Sequence, residues 1–432
     1  MTGYEPTTAL PRDLLNRADM KTAIAAHDFG TVFLLARSQA GITYSQIAAV
    51  CDIKPERVGL LARGQGSVTT FEKITRIADA LRIPGRMLGL APRTWEESEH
   101  GTDGNGEDLR RREFFKASAG AGLAASLPDL TRPPVGGRIG NDIPNRLRER
   151  TARLRRLDDI LGGGDTYRVY LSEYQKTKAL IRDSSYTEET GRALRSVLAE
   201  MAQQAGWAAF DAGRAADATS LYEASHQAAV DANDAALAGN ALAFLAYQNV
   251  GGNRQAGVEI ASRSCATAGS DAPPGVRALL HERLAWAHAV AGQADETGRA
   301  LAAAEAALAE VEDSPQPDWV TWVDHNELQI MTGRCWTELR RPLRAVPVLK
   351  TALARFDNAQ ARDKSLYMSW LAASYLHAGE VEEAADVTSR ALDLSSEVAS
   401  VRPRQRLDPI IENLTGHRAL PAVAAVLEKA RA

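Results

Sequence analysis

The 432-residue chain contains 45% apolar and 25% charged residues and has a formal net charge of −4, values typical of a globular protein. Its length predicts two to four domains. The negative net charge argues against a protein that coats nucleic acid along its whole surface, so any such contact should be local. The three cysteines, Cys51, Cys265 and Cys335, lie too far apart for a disulfide framework or a zinc finger. This cysteine usage favours a reducing, cytoplasmic location.

Neither a membrane anchor nor a secretion signal is predicted. No apolar run reaches the roughly 18 residues that a membrane helix needs, and the first residues lack a basic block followed by an apolar one. Residues 111–127 are similar to a twin-arginine export signal, but such signals act at an N-terminus. We therefore interpret residues 110–127 as a short apolar helix within a linker and keep export as the alternative.

Composition divides the chain into three parts. Residues 1–92 have the pattern of short helices joined by tight turns. Residues 93–143 are rich in Gly, Pro and acidic side chains and are predicted to form a linker. In residues 144–432, Ala, Leu, Arg and Glu recur with helical periodicity, and the alternation typical of strands is scarce. We therefore predict an all-α protein.

The first domain is predicted to contain four short helices, over residues 28–38, 44–51, 55–62 and 71–81. Thr43 is placed to cap the second helix, and a proline opens the third, where proline is tolerated. The side chains predicted to face the core are Phe29, Val32, Phe33, Ala36, Ile47, Ala48, Cys51, Val58 and Leu61.

Residues 28–90 resemble the lambda-repressor-like (XRE-type) helix-turn-helix family, with Ala48 allowing two helices to approach and Ile53 lying in the turn. The resemblance implies DNA binding, with the third helix in the major groove. The chain departs from the family at Ala62, where glutamate is common. The implied base contacts are Lys54, Glu56, Arg57 and Leu60, and the implied phosphate contacts are Tyr44, Ser45, Arg63, Gln65 and Thr69.

Local charge supports this interpretation over the alternative of a small bundle for protein contact. Residues 28–90 contain eight basic and five acidic side chains, within a chain that is negative overall. The basic residues gather around the third helix, as contact with phosphate requires.

Tight turns recur at residues 213, 252, 292, 340 and 379, in steps of 39, 40, 48 and 39 residues. The long step contains a proline-bearing insertion at residues 314–319. Small side chains occupy the positions seven residues before, five after and twelve after each turn, with Leu245 as the exception. Small residues at fixed places let neighbouring helices pack closely, so the pattern predicts repeated helical hairpins.

Residues 195–398 resemble the tetratricopeptide repeat, which implies five hairpins in an α-solenoid. An Arg-rich hairpin over residues 145–182 precedes them, and residues 407–414 and 420–431 are predicted to cap the stack. The resemblance places the first helix of each pair on a concave, ligand-binding surface, although such aromatic residues also fill cores. The residues predicted to line this groove are Gln203, Trp207, Phe210, Glu282, Trp286, Glu327, Arg334, Tyr367, Trp370 and His377.

Together these features predict a cytoplasmic transcription regulator that binds double-stranded DNA. Since one helix-turn-helix touches few bases, we expect a homodimer held by the repeat region, with a peptide or small-molecule effector in the groove. No nucleotide-binding, metalloprotease or hydrolase motif occurs, so we expect no catalytic residues, metal or cofactor. The alternative is a protein-interaction scaffold that does not bind DNA.

Overall fold

The computed structural model describes residues 6, 8–66, 68, 71–88, 93, 95–96, 138–158, 163–356, 360–396 and 398–431. These residues form helices and turns, with a single isolated β-bridge between Arg138 and Ser185. The prediction of an all-α protein is therefore confirmed for the described residues. None of their helices is both long and apolar enough to cross a membrane. The predicted linker helix at residues 110–127, and residues 89–92, lie outside this part of the chain.

In its described residues, the N-terminal part contains six α-helices followed by the 3₁₀ helix Gly85–Leu88. The helices are α1 (Arg12–Asn16), α2 (Ala18–Ala25), α3 (Phe29–Ala40), α4 (Tyr44–Cys51), α5 (Pro55–Leu61) and α6 (Phe71–Leu81). The predicted bounds of α4 and α6 are confirmed, and α5 ends one residue before its predicted end.

The start of α4 is fixed by the cap that the sequence predicts. The Thr43 hydroxyl accepts a hydrogen bond from the Gln46 amide at 3.3 Å, and the Gln46 side chain accepts one from the Thr43 amide at 2.8 Å. This reciprocal pair satisfies two amides that the helix itself leaves unpaired. At the other end Asp52 adopts a left-handed φ of 53°, which turns the chain sharply toward α5.

The core of this part follows the predicted pattern. All nine side chains predicted to face inward are buried. Helix α5 packs against α3 and α4, and α6 packs against α4. The approach of α3 to α5 is very close at Gly30, where an added Cβ would lie 2.1 Å from the Leu61 carbonyl oxygen.

The C-terminal part contains fourteen α-helices among the described residues. They are α7 (Ile143–Asp158), α8 (Gly163–Asp183), α9 (Glu188–Asp211), α10 (Ala215–Asp231), α11 (Ala235–Asn249), α12 (Arg254–Ala268), α13 (Pro274–Val290), α14 (Ala294–Leu308), α15 (His325–Glu338), α16 (Pro342–Leu353), α17 (Ala361–Ala378), α18 (Val381–Ser395), α19 (Arg402–Leu414) and α20 (Pro421–Lys429).

These helices pack in a solenoid-like arrangement. Each of the five predicted hairpins pairs two sequential helices, from α9 with α10 to α17 with α18. The first members, α9, α11, α13, α15 and α17, also pack against one another in order, and α19 continues the row. We call these six the inner helices, because together they present one continuous surface.

Small residues allow the two helices of a hairpin to come close. A Cβ on Gly206 of α9 would lie 2.5 Å from the Tyr222 ring of α10, and one on Gly333 of α15 would lie 2.4 Å from Leu349 of α16. Most of the other small residues in the three columns are also fully buried. The regular spacing of small residues in the sequence therefore corresponds to close contacts between the two helices of each hairpin.

We expect Gly333→Ala to destabilise the repeat region by about 2 kcal/mol, because the new methyl group overpacks a site filled by the fully buried Leu349. The control is Gly298→Ala on α14, where no atom lies within 4 Å of an added Cβ. That change should be neutral or stabilise by up to about 1 kcal/mol through helix propensity. Urea unfolding followed by tryptophan fluorescence measures both, and equal midpoints would contradict this packing.

Contacts distant in sequence bring the last inner helix to the first. Just before α19, Ser400 donates a hydrogen bond to the Asp211 carboxylate at 2.7 Å, and the Val401 amide donates one to the Asp211 carbonyl at 3.1 Å. Asp211 also accepts a hydrogen bond from the Gly163 amide at 2.7 Å. The segment before α19 thus joins the C-terminal end of α9 to the N-terminal end of α8, and the inner helices border a cavity.

Candidate functional site

The residues implied to contact DNA lie mostly at the surface of one segment, from α4 to the loop after α5. Lys54 and Glu56 are exposed and Arg57 and Leu60 are half-buried on α5. Ser45, Arg63 and Gln65 are also exposed, and Tyr44 is half-buried, whereas Thr69 lies outside the described residues. We call Lys54, Glu56, Arg57, Leu60 and Arg63 the α5 face.

Two contacts fix the positions of basic side chains near α4 and α5. An added Cβ on Gly66 would lie 2.7 Å from Arg57 Nη1, so the Arg57 guanidinium packs on the loop that follows α5. The Arg37 guanidinium lies 4.6 Å from the centre of the Tyr44 ring, a cation–π contact at the start of α4. Positive charge is thus present at both helices of the candidate helix-turn-helix.

A cavity of about 960 Å³ lies among the inner helices. Helix α7 and the insertion near residue 318 complete its wall. This volume suits a drug-sized molecule. The lining includes Arg155, Tyr170, Glu200, Gln203, Trp207, Asn240, Phe244, Tyr247, Arg283, Asp318, Trp322, Asp324, Glu327, Arg334, Phe356, Arg362, Asp363, Tyr367 and Arg402.

Three arginines surround Tyr247 within this cavity. Arg334 and Arg402 donate hydrogen bonds to its hydroxyl oxygen at 2.8 Å and 3.1 Å. The Arg283 guanidinium lies 5.2 Å from the centre of its ring. Burial alone would raise the pKa of Tyr247, but the three positive charges outweigh that effect and lower the pKa to about 7.

Aromatic rings contact the same guanidinium groups. Arg334 lies 4.2 Å from the Trp370 ring centre and 4.6 Å from that of Trp286, and Arg402 lies 4.5 Å from that of Trp207. The negative faces of these rings partly compensate the desolvated positive charge. These contacts form a network, which we call the Arg–aromatic cluster; its members are Arg283, Arg334, Arg402, Trp207, Tyr247, Trp286 and Trp370.

Each acidic residue among the described lining side chains already has a hydrogen-bond or ion-pair partner. Glu327 accepts hydrogen bonds from the Tyr367 hydroxyl at 3.0 and 3.1 Å, and Asp324 accepts one from the Glu327 amide at 2.8 Å. The remaining pairs are Glu200 and Asp318 with Arg155, and Asp363 with Arg362.

Two donors of the Arg–aromatic cluster are buried without such a partner. Arg283 Nη1 and Arg334 Nε form no hydrogen bond among the described residues. Arg283 is 9% exposed and Arg334 is 2% exposed. Buried donors of this kind are costly unless a ligand or water satisfies them.

Of the residues predicted to line the groove, Gln203, Trp207, Glu327, Arg334 and Tyr367 do line the cavity. Trp286 and Trp370 are buried and contact Arg334, Phe210 packs against Tyr247, and Glu282 is fully buried. These four residues are not part of the described lining of the cavity. His377 is exposed outside the described lining, because α17 extends beyond the cavity at its C-terminal end.

The sequence analysis does not place Tyr247, Arg283 or Arg402 in the groove. Tyr247 and Arg283 lie on the first helix of their repeat pairs, so the rule that puts first helices on the concave surface selects them as well. The Arg-rich hairpin over residues 145–182 also contributes two arginines with structural partners. Arg150 forms a buried ion pair with Glu173, and Arg155 lies in the cavity wall. Their partners are distant in sequence, so periodicity alone did not reveal them.

The described residues contain no group of three or more His, Cys, Asp or Glu side chains suited to bind a metal. No protein-family model matches the chain, and no curated protein matches it. What the protein does must therefore be inferred from the α5 face and the Arg–aromatic cluster.

Proposed function

We propose that the protein is a sequence-specific DNA-binding transcription regulator. In this proposal the N-terminal domain is a lambda-repressor-like helix-turn-helix, and the C-terminal solenoid is tetratricopeptide-like and binds an effector. The observation that carries the proposal is the α4–α5 unit. Two short helices are joined by a tight turn at Asp52. The second helix exposes Glu56 and buries Val58 and Leu61, and Lys54 is exposed just before it.

Each part of that unit has a role in the proposed complex. The amides at the start of α4 lie beside Ser45 and favour a DNA phosphate, because a helix N-terminus carries partial positive charge. Arg57 is suited to bind guanine through two hydrogen bonds, and Glu56 is suited to accept one from cytosine. Arg63 and Gln65 follow α5 and would hold the adjacent backbone.

We expect Arg57→Ala to weaken binding to the preferred DNA site by roughly 1–3 kcal/mol and to relax specificity at one base position. The control is Lys21→Ala, which removes an exposed positive charge from α2, outside the α5 face. Selection of genomic fragments followed by fluorescence anisotropy measures both affinities. The proposal fails if the wild-type protein selects no site at low salt, and the scaffold alternative then stands.

The homodimer belongs to the same proposal. One domain of this size buries too little DNA surface for tight binding, so two copies should occupy half-sites about one helical turn apart. We expect protection of two such half-sites in footprinting. The solenoid would hold the two copies together. When a ligand fills its cavity, the solenoid would change how freely the DNA-binding domains move.

A further inference from the structure

The cavity has an excess of unsatisfied positive charge. The acidic side chains of its described lining are engaged with arginines, a tyrosine hydroxyl or a backbone amide. In contrast, Arg283 and Arg334 each keep a buried N–H donor without a hydrogen-bond acceptor among the described residues. A cationic ligand would find no free carboxylate there, whereas an anion would satisfy both donors.

The surroundings of these donors favour a ligand with a flat body. Trp207, Tyr247, Trp322 and Tyr367 line the same cavity, and Trp322 is 41% exposed. Arg283 lies 5.7 Å from the centre of the Trp322 ring as well as 5.2 Å from that of Tyr247. Exposed and half-buried rings beside a guanidinium provide stacking surface for an unsaturated or aromatic group.

We propose that the cavity binds an anionic ligand with a flat, aromatic body, and that Arg283 and Arg334 hold its carboxylate or phosphate. This inference rests on the proposed effector role of the solenoid and specifies the chemistry of that effector. Desolvation within the cavity strengthens the ion pairs, because the low local dielectric weakens screening. The Tyr247 hydroxyl, held by Arg334 and Arg402, fixes the position of Arg334 before the ligand arrives.

Isothermal titration calorimetry with matched probes tests the charge preference on the full-length protein. The probes are 2-naphthoate, 2-naphthyl phosphate, the neutral 2-naphthamide and the cationic 2-naphthylmethylamine. We expect at least one anion to bind ten times or more as tightly as the amide, and the cation not to bind. Equal binding of anion and amide, preference for the cation, or no binding of either anion would each overturn the proposal.

Further probes separate the sources of the anion. A comparison of the affinities for 2-naphthoate and 2-naphthyl phosphate shows whether the site prefers a carboxylate or a phosphate. A short peptide ending in phenylalanine, with a free or an amidated C-terminus, shows whether a peptide carboxylate takes the same place. Competition between that peptide and naphthoate indicates one shared site, whereas independent binding assigns the Arg–aromatic cluster to the small anion alone.

Arg283→Met tests the assignment of the donor, because methionine keeps an apolar stem while removing the charge. We expect the anion to bind about ten times more weakly, and the preference over the amide to disappear. The matched control is Arg299→Met on α14, whose side chain is 70% exposed, and it should bind like wild type. Should Arg283→Met fail to fold, Arg283→Lys keeps the charge without the guanidinium fork and should bind with intermediate affinity. Unchanged affinity in a folded Arg283 variant would overturn the assignment.

Because the calorimetry contains no DNA, its outcome is independent of the DNA-binding experiment. Anion binding without any selected DNA site would leave the ligand proposal standing and remove the regulator proposal. Site-specific DNA binding without anion binding would do the reverse.

Discussion

Gly30→Ala should strongly destabilise the N-terminal domain, although Gly30 is remote from the α5 face in sequence. An alanine Cβ at this position would lie 2.1 Å from the Leu61 carbonyl oxygen and 2.9 Å from its carbon. Both are backbone atoms of α5, so no side-chain rotation relieves the overlap, and α3 and α5 must separate. We expect a loss of about 3 kcal/mol or more, which is a large part of the stability of a small domain.

Hydrogen exchange of the α3 and α5 amides measures this loss directly, since those amides should lose protection while the solenoid keeps its own. DNA binding should fall as well, because the substitution displaces α5 without changing any residue on its surface. The control is Gly59→Ala on α5, where the nearest atom to an added Cβ is Arg63 Nη1 at 3.7 Å. That substitution should leave protection unchanged or slightly higher. Wild-type protection in Gly30→Ala would show that α3 and α5 do not meet as described.

Local features of the fold could be predicted because their causes lie within a few residues. Neighbouring residues set the cap at Thr43 and the proline start of α5. The fixed repeat sets the small residues at the hairpin contacts, such as Gly333 against Leu349. The domain boundaries and the role of the α5 face stay predictions, because they depend on the linker and on DNA.

The candidate site was harder to predict, because its residues come together through contacts between distant parts of the chain. Ser400 meets Asp211 across 189 positions, and Arg155 meets Asp318 across 163. Periodicity identifies which helix faces are apolar, but it does not show which distant residues come into contact. An arginine among apolar residues, such as Arg283, is equally consistent with solvent exposure and with a buried cluster until its partners are known.

The contribution of Glu282 to the stability of the repeat region should fall as pH rises. Its carboxylate is fully buried, and neither oxygen has a hydrogen-bond partner among the described residues. Burial, with the neighbouring Glu327 carboxylate adding to it, raises the pKa of Glu282 from an ordinary value of 4.5 to about 8. Arg283 and Arg334 oppose this rise without cancelling it.

Between these two pKa values the unfolded chain loses the Glu282 proton while the folded chain keeps it, so the Glu282 contribution to stability declines with pH across this window and is fully retained below it. We expect Glu282→Gln to match wild type at pH 5 and to exceed it at pH 8, by on the order of 3 kcal/mol. Tryptophan fluorescence during urea unfolding reports this region, since Trp95 is the only one of the seven tryptophans outside it. The control is Glu223→Gln, which changes an exposed carboxylate on α10 and should give the wild-type pH dependence. If Glu282→Gln lost the same amount of stability at both pH values, the Glu282 carboxylate would be charged in the folded protein, and the prediction would be wrong.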